Sequence, residues 1–296
     1  MSKYKDNKVS VVLCTYNGSK FLNKQLDSIL GQSYEVDEII IVDDCSVDST
    51  REILKEYKER YNKIKLFFNT KNLGSNLSFQ YALSLAENEY IVLCDQDDIW
   101  FENKIEVQMD MVISSSFYKK EQPLLVFHDL RLIDQHDNVI IDSFWKLHKF
   151  KPNNFSFKKL MISNIVTGCT CLINRKTRDE ILKCDMNDII MHDHLIALIA
   201  YGFGNVIHID EQLIDYRSHN NSVTKKENIS VIIRIKLFVG KIKSKKYLKP
   251  NILQIKKFSD CYAAELNMDK KNVVKNFIEL EDSSIIYMLV YRFLVS

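Results

Sequence analysis

Along the first hundred residues, short unbroken apolar runs alternate with stretches whose apolar positions recur every three or four residues. The runs are "VSVVLC" (9–14), "EIIIVDD" (38–44), "IKLFFN" (64–69) and "EYIVLC" (89–94), rich in Val and Ile. Runs of that kind predict strands buried on both faces. Between the first two, Phe21, Leu22, Gln25, Leu26, Ile29 and Leu30 place an apolar stripe on one face of a helix over 20–30. Ser49 and Glu52 predict a capping box for a second helix with Ile53, Leu54 and Tyr57 on its buried face. "SNLSFQYALSLAEN" (75–88) predicts a third. The alternation implies an α/β, Rossmann-like fold, a mostly parallel sheet with helices on both faces.

The second half is more mixed. "PLLVFHDLRLID" (123–134) and "NVIID" (138–142) predict a hairpin turning at Asp137 and Asn138. "FSFKKLMISN" (155–164) reads as a helix, "TGCTCLINR" (167–175) as a strand and "HDHLIALIAYGF" (192–203) as a buried helix. "NVIHID" (205–210) and "QLIDYR" (212–217) read as two short strands. Residues 225–249 then hold nine Lys or Arg against one acid, Glu227, interleaved with apolar residues. Such a segment is either an interfacial helix on an anionic membrane or an ordinary solvated helix face. The chain thus divides into 1–100, a ligand-binding half; 101–224, the second half of the same domain; and 225–296, a basic helical extension.

Composition narrows the class. The chain has 296 residues, 46% of them hydrophobic, and a net charge of +2 from 41 basic and 39 acidic residues. It can bury a large core, and nothing in its overall charge suggests a nucleic-acid partner. Seven cysteines, an odd number with no CxxC pair, predict reduced thiols in a cytoplasmic protein, without a zinc site or a disulfide framework. The polar N-terminus predicts no secretory signal, and "SIIYMLVYRFLV" (284–295) is shorter than the roughly 18 residues a membrane span needs. The expectation is a soluble protein, at most peripheral at the inner face of the membrane.

In open α/β sheets, ligands bind beyond the carboxyl ends of the strands. Polar clusters sit at those ends here: Thr15, Tyr16 and Asn17; Asp43 and Asp44; Asn72; and Asp95, Asp97 and Asp98. Three neighbouring carboxylates resist ionising together, whereas a bound divalent cation reverses that. Mg2+ and Mn2+ take oxygen ligands and share them with substrate phosphates. Asp-x-Asp at a strand end therefore suits a metal bridging protein and diphosphate; the other reading is a solvated turn. Asp43 and Asp44 are placed to accept from a base or a ribose, or to cap the next helix. Tyr16 stacks on a base or packs.

"VVLCTYNGSKFLNKQLDSIL", "EIIIVDDCSVDST", "NLGSNLSFQYAL" and "YIVLCDQDDIWFENKI" resemble, in order and spacing, the nucleotide-binding half of family 2 glycosyltransferases, over about residues 8–220. That family has the GT-A fold and inverts the anomeric centre; "DQDDIW" is similar to its rhamnosyltransferase-like branch. The resemblance implies that Thr15, Tyr16, Asp43 and Asp44 contact the nucleoside of a sugar nucleotide, with Asn17 and Asn72 beside them. It implies Asp95 near the ribose, donor sugar and metal, and Asp97 as ligand of Mg2+ or Mn2+ at the diphosphate. Asp193, in "MHDHLIAL", matches the family's catalytic base, although an acid preceding an apolar helix is also a plausible N-cap. Arg217 and His219, in "YRSHNNSV", match a later motif at the diphosphate or metal.

These assignments suit inverting transfer, which needs a base on the acceptor hydroxyl and an electrophile on the leaving diphosphate. The sequence also departs from the pattern. His192 and His194 flank Asp193 where many relatives carry Glu or Trp. His128 and Asp129 line the acceptor side or form a satisfied strand pair, and Asp98 has no assigned role. Other acidic-strand-end folds fit less well. A receiver domain carries its acid pair after the first strand, a dehalogenase-type phosphatase follows DxD with Thr or Val, and a nucleotidyltransferase wants a glycine-rich loop after strand one. The expected activity is transfer of rhamnose or a hexose from a UDP- or dTDP-sugar to a hydroxyl of a bacterial surface glycan or its lipid-linked precursor. The alternative is a non-catalytic sugar-nucleotide-binding module of the same fold.

Overall fold

The computed structural model of the chain describes residues 7–218 and 248–283. Four strands, β1 (Val9–Thr15), β2 (Glu38–Asp43), β3 (Ile64–Phe68) and β4 (Tyr90–Cys94), run parallel in the order β3-β2-β1-β4. Because side chains alternate across a strand, one set of residues feeds two cores. Val9, Val11, Leu13, Ile39, Ile41 and Val92 face one side, closed by α1 (Leu22–Leu30) and α2 (Thr50–Arg60). Val12, Ile40, Val42, Ile91 and Leu93 face the other, closed by α3 (Ser75–Leu85).

Beyond β4 the sheet becomes mixed. β8 (Leu172–Asn174) lies antiparallel to β4, and β6 (Leu124–Ile133) lies antiparallel to β8. β9 (Asn205–Arg217) runs parallel to β6, with β5 (Ile99–Trp100) antiparallel on its far edge. β7 (Val139–Ile141) folds back on β6 through the expected hairpin, where Asp137 takes a left-handed φ of 69°. The expected all-parallel order thus holds for β1–β4, and beyond them antiparallel pairs mix with the parallel pair of β6 and β9. Apolar runs report burial, and burial carries no information on strand direction.

Other expectations shift for local reasons. The segments 205–210 and 212–217 form one strand, because register shifts opposite β6 absorb the exposed Asp210 and Glu211. "TGCTCLINR" makes a 3-10 turn at Gly168–Thr170 before the short β8, and "FSFKKLMISN" is α-helical only in α6 (Phe157–Leu160). The capping box does not form. Ser49 makes no side-chain cap bond, and Asp48 accepts from the backbone N–H of Thr50 at 3.1 Å and of Ser19 at 3.2 Å.

Helix α4 (Lys104–Ser114) packs under the first core, and α5 (Phe144–His148) follows the hairpin. The second core is covered by α7 (Arg175–Lys183), α8 (His192–Phe203), α9 (Lys249–Tyr262) and α10 (Met268–Ile278). Ile252, Ile255 and Phe258 of α9 are buried in that core, so this part of the C-terminal region is built into the molecule. The basic stretch before it lies largely outside the described residues. One cysteine expectation is corrected: Cys184 and Cys261 form a disulfide, joining the end of α7 to α9 across 77 residues of sequence. The two thiols meet because α9 returns to the same core, a contact that spacing along the chain does not reveal.

Candidate active site

A cavity of about 810 Å³ opens at the carboxyl edge of β1, β2 and β4. Thr15, Tyr16, Asn17, Asp44 and Asn72 line its nucleotide-half wall. Asp95, Asp97 and Asp193 also line it. Asp43 and Arg217 do not, and His219 lies outside the described residues.

The loop after β1 is held by a left-handed residue, Asn17 (φ 50°), whose Oδ1 accepts from Val47 N at 2.9 Å. Asparagine tolerates that backbone because its short polar side chain bonds locally. Gln96, a spacer in the sequence reading, clasps this loop to the acidic one. Its Oε1 accepts from Tyr16 N at 2.8 Å and its Nε2 donates to Tyr16 O at 3.2 Å. A Cβ on Gly18 would come within 2.2 Å of Gln96 Oε1, so a larger residue there would push the Gln96 side chain out of this clasp. The Tyr16 ring is 48% exposed at the mouth of the cavity.

The two acids after β2 divide their work. Asp43 is fully buried. Its carboxylate accepts from Arg51 Nε at 2.6 Å, Ser46 N at 3.1 Å and Thr15 Oγ1 at 3.2 Å. Its carboxylate is turned toward these partners, and Asp43 does not line the cavity. Asp44 reaches the cavity and shapes its wall, accepting from Leu73 N, Gly74 N and Asn69 Nδ2, each at 2.8 Å. Gly74 supplies the φ of 82° with which that loop enters α3.

In the acidic loop, Asp95 and Asp97 face the cavity while Asp98 turns inward, fully buried, and accepts from Arg217 N at 2.9 Å. Below them sits a cation that the sequence reading missed. Lys104, fully buried, donates to Cys169 O at 2.6 Å and lies 3.6 Å from the Trp100 ring centre. Burial, then Asp97 and Asp193, push the Asp95 carboxyl up to about 7 against the pull of Lys104. Burial, then Asp97 and Asp95, raise Asp98 well above the usual range. Burial pulls Lys104 down to about 8. One buried lysine therefore leaves the acid cluster under-compensated on its cavity side. A divalent cation fits that deficit: Asp95 and Asp97 offer carboxylate oxygens at the cavity, and potential ligand atoms of Asp95, Asp98 and Cys169 lie within 4.8 Å of one another.

Arg217 braces this loop from behind. Its side chain is 0% exposed, with Nε donating to Asp97 O at 2.7 Å and Nη1 donating to Asp134 O at 2.9 Å and Asp137 Oδ1 at 2.5 Å. The guanidinium carbon lies 4.5 Å from the Phe21 ring centre. Its Nη2 has no hydrogen-bond partner among the described residues, and the side chain does not line the cavity.

Asp193 stands in the first turn of α8; Met191 holds the N-cap position, without a side-chain cap bond. Its carboxylate accepts from Asn164 Nδ2 at 3.1 Å and from the backbone N–H groups of His194 and Gly168, and burial pushes it up to about 7. An acid poised near neutrality on a cavity wall suits a general base. His194 packs away, its Nε2 2.8 Å from Leu160 O. His192 stays on the wall, stacked on Phe79 with ring centres 4.3 Å apart. His128 and Asp129 are buried away from the cavity: His128 Nδ1 lies 2.6 Å from Asp129 O while its Nε2 has no partner among the described residues, and Asp129 accepts from Trp145 N and Gln212 Nε2.

Residues 10–179 match the model of the family described as glycosyl transferase family 2. Over 219 residues, 73% of this chain, the sequence is 29% identical to a protein named putative teichuronic acid biosynthesis glycosyltransferase TuaG from Bacillus subtilis, covering 81% of it. Over 172 residues, 58% of this chain, it is 27% identical to the Escherichia coli UDP-Glc:alpha-D-GlcNAc-diphosphoundecaprenol beta-1,3-glucosyltransferase WfgD, covering 62% of that protein. In fold it is similar to residues 1–349 of S. aureus TarS in complex with UDP, with a TM-score of 0.59 at 18% identity, covering 92% of this chain and 71% of the other.

Proposed function

The chain belongs to glycosyl transferase family 2 and is a glycosyltransferase of GT-A fold, and from that premise we propose that it is a metal-dependent inverting enzyme. It moves a hexose or rhamnose from a UDP- or dTDP-sugar to a hydroxyl of a bacterial surface glycan or its lipid-linked precursor. The observation that carries this reading is the pairing, in one cavity, of outward carboxylates at Asp95 and Asp97 with a separately held carboxylate at Asp193. Asp95 and Asp97 would hold Mg2+ or Mn2+, which offsets charge on the leaving diphosphate. Thr15, Tyr16, Asn17, Asp44 and Asn72 shape the nucleoside side. Asp193 takes the proton of the acceptor hydroxyl as the new glycosidic bond forms, and Asn164 and Gly168 hold its carboxylate in place.

The activities named for the relatives support the substrate classes: a UDP-glucose donor and a diphosphoundecaprenol acceptor for WfgD, and teichuronic acid biosynthesis for TuaG. A lipid-linked acceptor agrees with the basic run at 225–249, for which we propose contact with an anionic membrane at its inner face. No helix among the described residues is long and apolar enough to cross one. The reading is tested by a thermal-shift screen of UDP- and dTDP-sugars with and without Mn2+. A preferred donor raises the melting temperature in the presence of the metal. Absence of any sugar-nucleotide shift, with or without metal, refutes the reading.

A further inference from the structure

At the N-terminal turn of α8, Asp193 and His192 face different neighbours. Asp193 turns to Asn164 and Gly168, in the later half of the chain. His192 turns to α3 in the nucleotide half: its backbone N–H donates to Asn76 Oδ1 at 3.1 Å and its ring lies on Phe79. Both residues line the cavity that Asp97 also lines.

The ring is also unfinished chemically. Among the described residues three histidines are buried, and His128 and His194 each place a ring nitrogen against a backbone carbonyl. His192 is 9% exposed, and neither of its buried ring nitrogens has a hydrogen-bond partner among the described residues. Gly168 leaves the ring its room, since a Cβ there would stand 3.0 Å from His192 Nε2. We propose that His192 hydrogen-bonds a hydroxyl of the transferred sugar and so helps to select which sugar nucleotide this chain accepts. Burial keeps the imidazole uncharged, with one donor and one acceptor nitrogen, a set that matches a neutral sugar hydroxyl. A buried polar group completed only by the correct substrate discriminates strongly against analogues that lack the matching group.

This inference rests on the donor site proposed above, and the test separates the two. UDP, dTDP, UDP-glucose, UDP-galactose, UDP-N-acetylglucosamine and dTDP-rhamnose are titrated with Mn2+ against the wild-type chain, His192→Phe and His192→Gln. If the wild type binds none of them, the donor site itself fails. If it binds them, His192→Phe, which keeps the ring on Phe79, should bind the free nucleotide within about twofold of wild type. It should also lose about tenfold of the preference for the best sugar nucleotide over that nucleotide. His192→Gln, which donates and accepts at a different reach, should re-rank the glucose and galactose epimers. An unchanged sugar preference in His192→Phe overturns the inference, as does an equal loss for nucleotide and sugar nucleotide, the mark of a structural role. If His192→Phe does not fold, an unchanged epimer ranking in His192→Gln overturns it.

Discussion

An aspartate in water releases its proton near pH 4, but Asp193, deprived of water, holds its own to about 7. Between those values the folded chain binds more protons than the unfolded chain, so the contribution of Asp193 to stability falls as pH rises, and its charged form is fully penalised above 7. Asp193→Asn should therefore reduce transfer by roughly 10²- to 10⁴-fold while Mn2+-dependent UDP binding survives. It should also raise the melting temperature over wild type by more at pH 8 than at pH 5. Equal gains at the two pH values in a thermal melt would show that the carboxyl is not held as described. In the wild type, kcat/KM should climb as pH passes through about 7. In the sequence, Asp193 read either as a cap or, through the family resemblance, as a base; Met191 takes the cap position, and the base is the role we propose. Asp43 and Asp44 stood as equals on paper, and the inward turn of one and outward turn of the other follow from Arg51 claiming the first.

Among the elements, the end of β9 matters most to the site. Arg217 was expected at the diphosphate or metal, and in the structure it braces the acidic loop from behind. It ties Asp97 O, Asp134 O and Asp137 into one bracket. Removing a buried charged partner typically costs about 3–5 kcal/mol, so Arg217→Met should lower the urea midpoint accordingly. It should also weaken Mn2+-dependent UDP binding, because the backbone of Asp97 loses its donor. A wild-type midpoint would refute the bracket. The strand itself was read as two, since Asp210 and Glu211 interrupt the apolar pattern; pairing with β6 across a bulge overrides that local break.

At the scale of the molecule, strands β1–β4 deliver one wall of the cavity and the segments around Thr167 and Met191 deliver the other. Asp97→Ala should abolish Mn2+-dependent UDP binding without lowering the melting temperature of the metal-free protein, since it relieves repulsion within the acid cluster; calorimetry and a thermal melt check both halves. The disulfide sets a second test. Thiol titration of unreduced, denatured protein should find five reactive cysteines of the seven. Replacing Cys184 and Cys261 by Ser should cost about 2–4 kcal/mol in urea unfolding. Seven reactive thiols would exclude the bond.

Read along the chain, the alternation of β1–β4 with α1–α3, the buried helix α8, the hairpin at Asp137 and the strand-end carboxylates were already specified, because each depends on periodicity or turn chemistry within a few neighbouring residues. Lys104 under the acidic loop, Gln96 as its clasp, the mixed half of the sheet and the pairing of Cys184 with Cys261 emerged only on folding. Each of these joins segments far apart in sequence, and no local pattern records which distant group a side chain will meet. The same holds for His192, whose unpartnered nitrogens became visible only once Phe79 and Gly168 had closed around its ring.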